Sequence, residues 1–215
     1  MAVSSNITLI GGLFAVISTL VGAGFILGAV VTYTAFPFRP ISLPGFPIIL
    51  PVLNTGYNLM RQFVSEMSAG PSSFLYNTGI IVSGILALPF YPTIIRLLRS
   101  TVIAKIGAVT GVISSLGMSM SSVYPLYVHT SEHLLFAMIF FIFTGISIVL
   151  LSYEIFRGKF FSKVNVVIGV ALAVVDIIFL VTRAPLAEWM ITFLVIAWLI
   201  LAGTTMIIKR NVTEV

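Results

Sequence analysis

Six runs of about twenty apolar residues, each ending in a short polar break, constrain this chain more than any other feature of it. The runs are roughly Leu9–Tyr33, Phe74–Leu97, Ile103–Val123, Ser131–Tyr153, Val164–Val181 and Trp189–Ile208. A hydrocarbon core about 30 Å thick takes about 20 helical residues per crossing. Lipid admits only helices or closed barrels, because every backbone N–H and C=O must be satisfied within the protein. Apolarity that is continuous rather than alternating excludes barrel strands. The expected fold is therefore all-α: a polytopic membrane protein with six transmembrane helices in one bundle, residues 1–215 forming a single domain. Eleven Lys and Arg and six Asp and Glu among 215 residues fall far short of the roughly one quarter charged that covers a soluble surface.

The net charge of +5 does not indicate a nucleic-acid partner, because the positions of the charges give another reason for it. Arg96, Arg99, Lys105, Arg157, Lys159, Lys163, Lys209 and Arg210 all fall on one side of the predicted spans, and only Arg39, Arg61 and Arg183 on the other. Basic residues accumulate on the cytoplasmic side, so both termini are expected there, in a plasma membrane of bacterial or archaeal type. The first run has no basic start and is longer than a signal-peptide core, so it reads as a retained span. With no cysteine, disulfides, thiolate metal sites and cysteine nucleophiles are all removed.

The long break, residues 34–73, is expected outside. Pro37, Pro40, Pro44, Pro47 and Pro51 forbid a regular helix in its first part. Its second part, residues 52–67, reads as an amphipathic helix, with Leu53, Tyr57, Met60, Val64 and Met67 on one face and Asn54, Asn58, Arg61, Gln62 and Glu66 opposite. Such a helix can lie in the headgroup plane or cover the bundle. Within the spans, Gly24 and Gly28, and again Gly107 and Gly111, have the small-residue spacing that lets helices approach closely. Pro89 and Pro92 predict a kink in the second span.

An ionisable group inside a span is a functional candidate by default. Asp176 is the clearest, with His133 and Asn77 expected at similar depth and Glu132, His129, Glu66, Arg61, Arg183 and Glu188 at or above that level. The expected outer cluster therefore has Asp176, His133 and Asn77 inside and Arg61 and Arg183 at the rim, with an inner half almost free of polar groups. The structural alternative pairs Asp176 with Arg183, His133 or Asn77 to fasten helices. His129-Thr130-Ser131-Glu132-His133 matches H-x-x-E-H, which on a helix puts two possible zinc ligands on one face. Zinc hydrolysis needs a third protein ligand, for which only Asp176 or Glu188 stands close. The bland reading has Thr130 or Ser131 capping the helix and Glu132 at its positive end. Haem held by two histidines needs them on different spans, whereas both stand on one; a His–Met pair stays open. No cofactor is expected.

Ser68-Ala69-Gly70-Pro71, followed by Phe74, Asn77, Gly79 and Gly84, then Tyr124-Pro125, His133, Phe140-Phe141 and Glu188-Trp189, resemble an uncharacterised prokaryotic six-span family, domain of unknown function 998. That family is in turn distantly similar to DRAM and FRAG-type membrane proteins. The resemblance covers about Ser65 to Lys209. It implies a six-helix bundle with cytoplasmic ends and a shared outer site that includes Gly70, Pro71, Asn77 and His133, and it implies no activity.

The expected function is non-catalytic: an accessory or lipid-contacting subunit of a larger membrane complex, with membrane lipids and other subunits as partners. The alternatives are a small outward-facing metal enzyme built on His129, Glu132 and His133, and a transporter or channel.

Overall fold

The computed structural model describes residues 5–33, 57–98 and 101–211. The Pro-rich stretch and the start of the expected amphipathic helix lie outside the described residues. Helices α1 (Ser5–Thr32), α2 (Ser73–Ala87), α3 (Phe90–Leu97), α4 (Val102–Val123), α5 (Thr130–Arg157), α6 (Lys163–Thr182) and α7 (Pro185–Ile208) follow in order, with a 3-10 turn η1 (Val64–Ser68) before α2. With α2 and α3 taken as one interrupted span, six are long and apolar enough to cross a membrane. The interruption is the predicted kink. Pro89, which has no N–H to continue α2, becomes the N-cap of α3, and Pro92 falls in the first turn of α3, where proline is tolerated.

The spans close on themselves as a ring in the order α1, α2, α4, α5, α6, α7 and back to α1, with α3 leaning on α1 and α4. Neighbouring helix axes pack 8–10 Å apart, so opposite members of a regular six-helix ring stand about 16–20 Å apart. The middle must then be filled by side chains or remain a cavity, and the two halves differ in this. At the end carrying Arg96, Lys105, Arg157, Lys163 and Lys209, here the basic end, Phe90, Ile94, Leu151, Ile155, Trp198 and Met206 fill it. Lys209 ties this end together by donating from Nζ to the Phe160 carbonyl at 2.8 Å.

The ring is drawn tight by small residues, but not by all of those expected. A Cβ on Gly12 would stand 2.7 Å from the Gly203 carbonyl oxygen, and one on Gly203 would stand 2.8 Å from that of Gly12, so α1 and α7 touch backbone to backbone. Gly107 and Gly111 do lie in close contacts, against Leu150 and Leu151 and against the Tyr91 ring. Gly24 has nothing within 4 Å, and a Cβ on Gly28 would meet Leu75 at 3.6 Å. Their spacing is right, but Gly24 faces away from the neighbouring helices and Gly28 makes only an ordinary contact with α2.

At the opposite end the chain forms a cap, not the amphipathic helix that its periodicity predicts. Among the described residues of this stretch, 57–63 turn irregularly and only η1 is helical. Side chains take the backbone groups a helix would have used. Asn58 Oδ1 accepts from the Met60 N–H at 3.0 Å, Gln62 Oε1 from the Asn58 N–H at 2.7 Å, and Glu66 Oε1 from the Phe63 N–H at 2.9 Å. The two expected faces are also mixed: Gln62 and Glu66, each 3% exposed, are buried together with Val64 and Met67, whereas Met60 is 68% exposed and Arg61 is exposed too. Gly70, at φ 76°, makes the left-handed turn that leads from the cap into α2.

Candidate functional site

The cap is fastened to the ring by polar contacts with several elements. Glu188 of α7 accepts the Val64 N–H at 2.8 Å, which satisfies the first donor of η1. Next to it, Trp189 donates from Nε1 to the Tyr57 hydroxyl at 3.1 Å, and that hydroxyl donates to the Phe63 carbonyl at 2.5 Å. Gln62 donates to the Tyr33 hydroxyl beyond α1 at 2.8 Å. Ser68 accepts the Leu126 N–H at 2.9 Å and presents its carbonyl to Asn77 Nδ2 of α2 at 2.9 Å. Apolar packing of Val64 and Met67 against Ile26, Ala29, Tyr76 and Ile80 completes the seal.

Beneath the cap lies a cavity of about 120 Å³, walled by α1, α2, α4, α5 and α7 and roofed by Val64 and Ser65. Glu188 and Leu199 both line it, eleven residues apart on α7, so it runs about 16 Å along the ring axis at 1.5 Å per residue. Tyr91 and Trp198 stand at its floor, where the packed basic end begins. Many wall positions are serine or threonine, yet their hydroxyls turn to protein acceptors. Thr19 donates to the Ala15 carbonyl at 2.7 Å, Ser83 to Ser18 at 2.8 Å, Ser147 to Gly107 at 2.7 Å and Thr192 to Glu188 at 2.9 Å. A smaller cavity of about 40 Å³ shares Ser65, His133 and Glu188 with this chamber and reaches between α5 and the tip of α6 to Arg183.

His133 and Glu188 are the predicted residues that line the chamber. His133 Nδ1 lies 2.7 Å from the Ser121 carbonyl oxygen and 2.9 Å from that of Tyr124. Carbonyls only accept, so Nδ1 carries the proton and Nε2 is left for the cavity side. Glu66 and Asn77 belong to the cap and its fastening. Arg183, left-handed at φ 52°, ends α6; its guanidinium donates to Met138 Sδ at 3.1 Å and borders the smaller cavity. Arg61, His129 and Glu132 are exposed. His129 stacks edge-on against Tyr124 at 5.7 Å while His133 is buried, so the two histidines do not converge. Among the described residues no three of His, Asp and Glu stand where they could hold a metal ion.

Asp176 is placed differently from the sequence expectation. It is 2% exposed, Oδ1 has no hydrogen-bond partner, and the carboxyl fills the space over Gly145 of α5. His133 stands twelve residues further along α5, about 18 Å by helical rise. Asp176 therefore does not join His133 and Asn77 in one cluster, because α6 turns it toward the middle of α5. Nor is the basic half free of buried polar groups. Asn165 donates to the Trp198 carbonyl at 3.1 Å, and Ser152, Glu154 and Asn165 each keep a buried oxygen without a partner. An Asn close after Lys163 was the available signal for this, and the serine spacing of α4 was the signal for the chamber wall.

Glu66 gives the cap a pH dependence. Burial pushes its pKa up to about 7, against the opposing pull of hydrogen bonds from the Phe63 N–H, Tyr127 and Gln62. An unfolded glutamate titrates near 4.3, so the closed cap holds a proton that an opened cap releases between those values. A group raised on closing stabilises the closed form fully below the lower pKa and loses that contribution as pH rises through the upper one. Hydrogen exchange of the amides of residues 63–68, corrected for intrinsic rates, should show protection falling up to about pH 7 and level above it. Glu66→Gln should flatten the profile; an unchanged slope in that variant would assign the effect elsewhere.

The family described as "Protein of unknown function (DUF998)" matches residues 40–205, and the chain belongs to it. The match includes every element from the cap through most of α7 and does not extend to a likeness with DRAM or FRAG-type proteins. No curated protein and no solved structure matches the chain.

Proposed function

We propose that this member of the family is a non-catalytic binding protein of the plasma membrane that holds a lipid-type ligand in the capped chamber. In this reading it serves a larger membrane complex as a lipid-contacting accessory subunit. The observation that carries the proposal is the chamber, about 120 Å³. Left unfilled, a cavity of that size costs about 3 kcal/mol at roughly 24 cal/mol per Å³, and protein interiors keep few such voids. A floor closed by Trp198 and Tyr91 favours holding a ligand over passing it across. The positive-inside rule puts the basic end in the cytoplasm and the cap outside, with His133 and Glu188 at the outward end of the chamber. Arg61, exposed beside the cap, and Arg183, at the smaller cavity, then face the headgroup region. Exposed His129 and Glu132 lend no support to the metal-enzyme alternative.

Native mass spectrometry of protein extracted gently from its own membrane tests the proposal. The expected result is a defined lipid at fixed stoichiometry, with or without further subunits. Bare protein that takes up no lipid on reconstitution would overturn it.

A further inference from the structure

Arg157, Lys159, Lys163 and Lys209 gather at one corner of the basic end, where α5 turns into α6 and α7 stops. Lys163 donates from Nζ to the Phe156 carbonyl and, at 3.3 Å, to that of Gly158, while Lys209 donates to that of Phe160 at 2.8 Å. The Arg157 guanidinium stands over the Tyr153 ring at 5.6 Å, and the Lys163 ammonium over the Phe156 ring at 4.9 Å. All of these partners are neutral. Glu154, the acid described at this end, is buried. Gly158 and Phe160 are two residues apart, so the two ammoniums stand at most about 13 Å from each other. Lysine stems are flexible enough to converge on one anion across that gap. Like charges held this close repel, and an anion placed between them turns the repulsion into attraction.

The surface next to the corner is apolar in a particular way. On its outer face α5 presents Ile146, Val149, Tyr153 and Phe156, all exposed and three or four residues apart, so they form one stripe. The stripe is about 15 Å long by helical rise. It ends in two aromatic rings beside the basic residues, where a membrane meets water. We propose that this corner binds an anionic phospholipid. Its phosphate sits between Lys163 and Lys209, with Arg157 and Lys159 at the edge, and one acyl chain lies along the α5 stripe. The site is outside the ring and at the opposite end from the capped chamber, so it stands whether or not the chamber holds a ligand. In the orientation proposed above, the corner meets the cytoplasmic leaflet, whose negative surface potential comes from such lipids.

The test is native mass spectrometry of the full chain in mild detergent, titrated with phosphatidylglycerol or phosphatidylcholine carrying the same oleoyl chains. One phosphatidylglycerol is expected to bind more tightly than any phosphatidylcholine. A lysine at a charged surface counts for roughly fivefold in affinity. Lys163→Gln should therefore weaken phosphatidylglycerol about fivefold, and Lys163→Gln with Lys209→Gln about twenty-fivefold, with phosphatidylcholine unchanged. Lys209 also ties Phe160, so Lys163→Gln with Lys159→Gln, both exposed, carries the same expectation if the first pair unfolds. Arg96→Gln removes one charge at the same end, but across the ring from α6, and should leave the titration as it was. A lipid held in the chamber would stay bound in the lysine variants, which separates the two sites. Glycerol 3-phosphate, the same anion without chains, should not displace the lipid; displacement at matched concentration would overturn the lipid assignment. Equal affinity for the two lipids in the parent would overturn the proposal. So would equal losses in Lys163→Gln and Arg96→Gln, which would leave only the diffuse charge of the basic end.

Discussion

Gly203→Leu is expected to yield protein that inserts but does not close its ring. A Cβ at Gly203 would sit 2.8 Å from the Gly12 carbonyl oxygen, 2.9 Å from Ala15 Cβ and 3.0 Å from Val16 Cγ2. The nearest obstacle is backbone, so no rotamer change relieves it. Overpacking a buried site costs about 1–3 kcal/mol where side chains can yield, and occasionally more. Here the only relief is separation of α1 from α7. In lipid, helices associate through close packing rather than a hydrophobic drive, so a seam of two facing glycines has no reserve once it is opened. This seam also joins the first span to the last and completes the enclosure of the chamber. Thermal melts in detergent should show Gly203→Leu shifted strongly down, with Gly24→Leu, whose site has nothing within 4 Å, melting like the parent. Equal melting of both variants would mean that the ring does not close through Gly12 and Gly203.

The contrast between Gly203 and Gly24 shows what the sequence did and did not make readable. Hydropathy located six spans because lipid imposes one requirement on every residue of a crossing, whatever its neighbours are. Proline chemistry located the break between α2 and α3 because the missing N–H is a local fact. Which glycine faces a partner is decided by rotation of α1 within the ring, and that order is tertiary information absent from any spacing. Asp176 was misplaced for the same reason: its depth follows from helical rise, but its direction follows from packing of α6 on Gly145 of α5. The cap failed differently. Tyr57, Met60, Val64 and Met67 have helical spacing, yet Asn58, Gln62 and Glu66 satisfy nearby backbone groups with their side chains, and this competes directly with a helix. Glu188 and His133 were recognisable as candidates, because an ionisable group at the end of a span stands out in the sequence, whereas small polar residues within a span do not.

Glu188→Ala is the second large effect expected, and it should act on the cap while sparing the ring. The Val64 N–H, buried and with its acceptor 2.8 Å away on α7, would lose its partner; leaving such a donor unsatisfied costs about 1–3 kcal/mol. The lost contact spans 124 residues of chain, so nothing local replaces it. The remaining ties, through Gln62, Ser68, Asn77 and Trp189, hold the cap near its place but do not supply an acceptor for η1. At about 2 kcal/mol the open population rises roughly thirtyfold. Met67, fully buried in the cap, is the place to read this, since the chain has no cysteine of its own. In a Met67→Cys background, thiol labelling should accelerate by about that factor on Glu188→Ala and by much less on Glu188→Gln, which keeps an acceptor oxygen. The melting temperature should move little, because no ring contact is lost. Unchanged labelling would mean that the cap is held by its apolar packing on α1 and α2 alone. Faster labelling would instead give the acid at the chamber mouth two tasks at once, facing the cavity and keeping its roof closed, so that a ligand head competing for Glu188 would also loosen the cap above it.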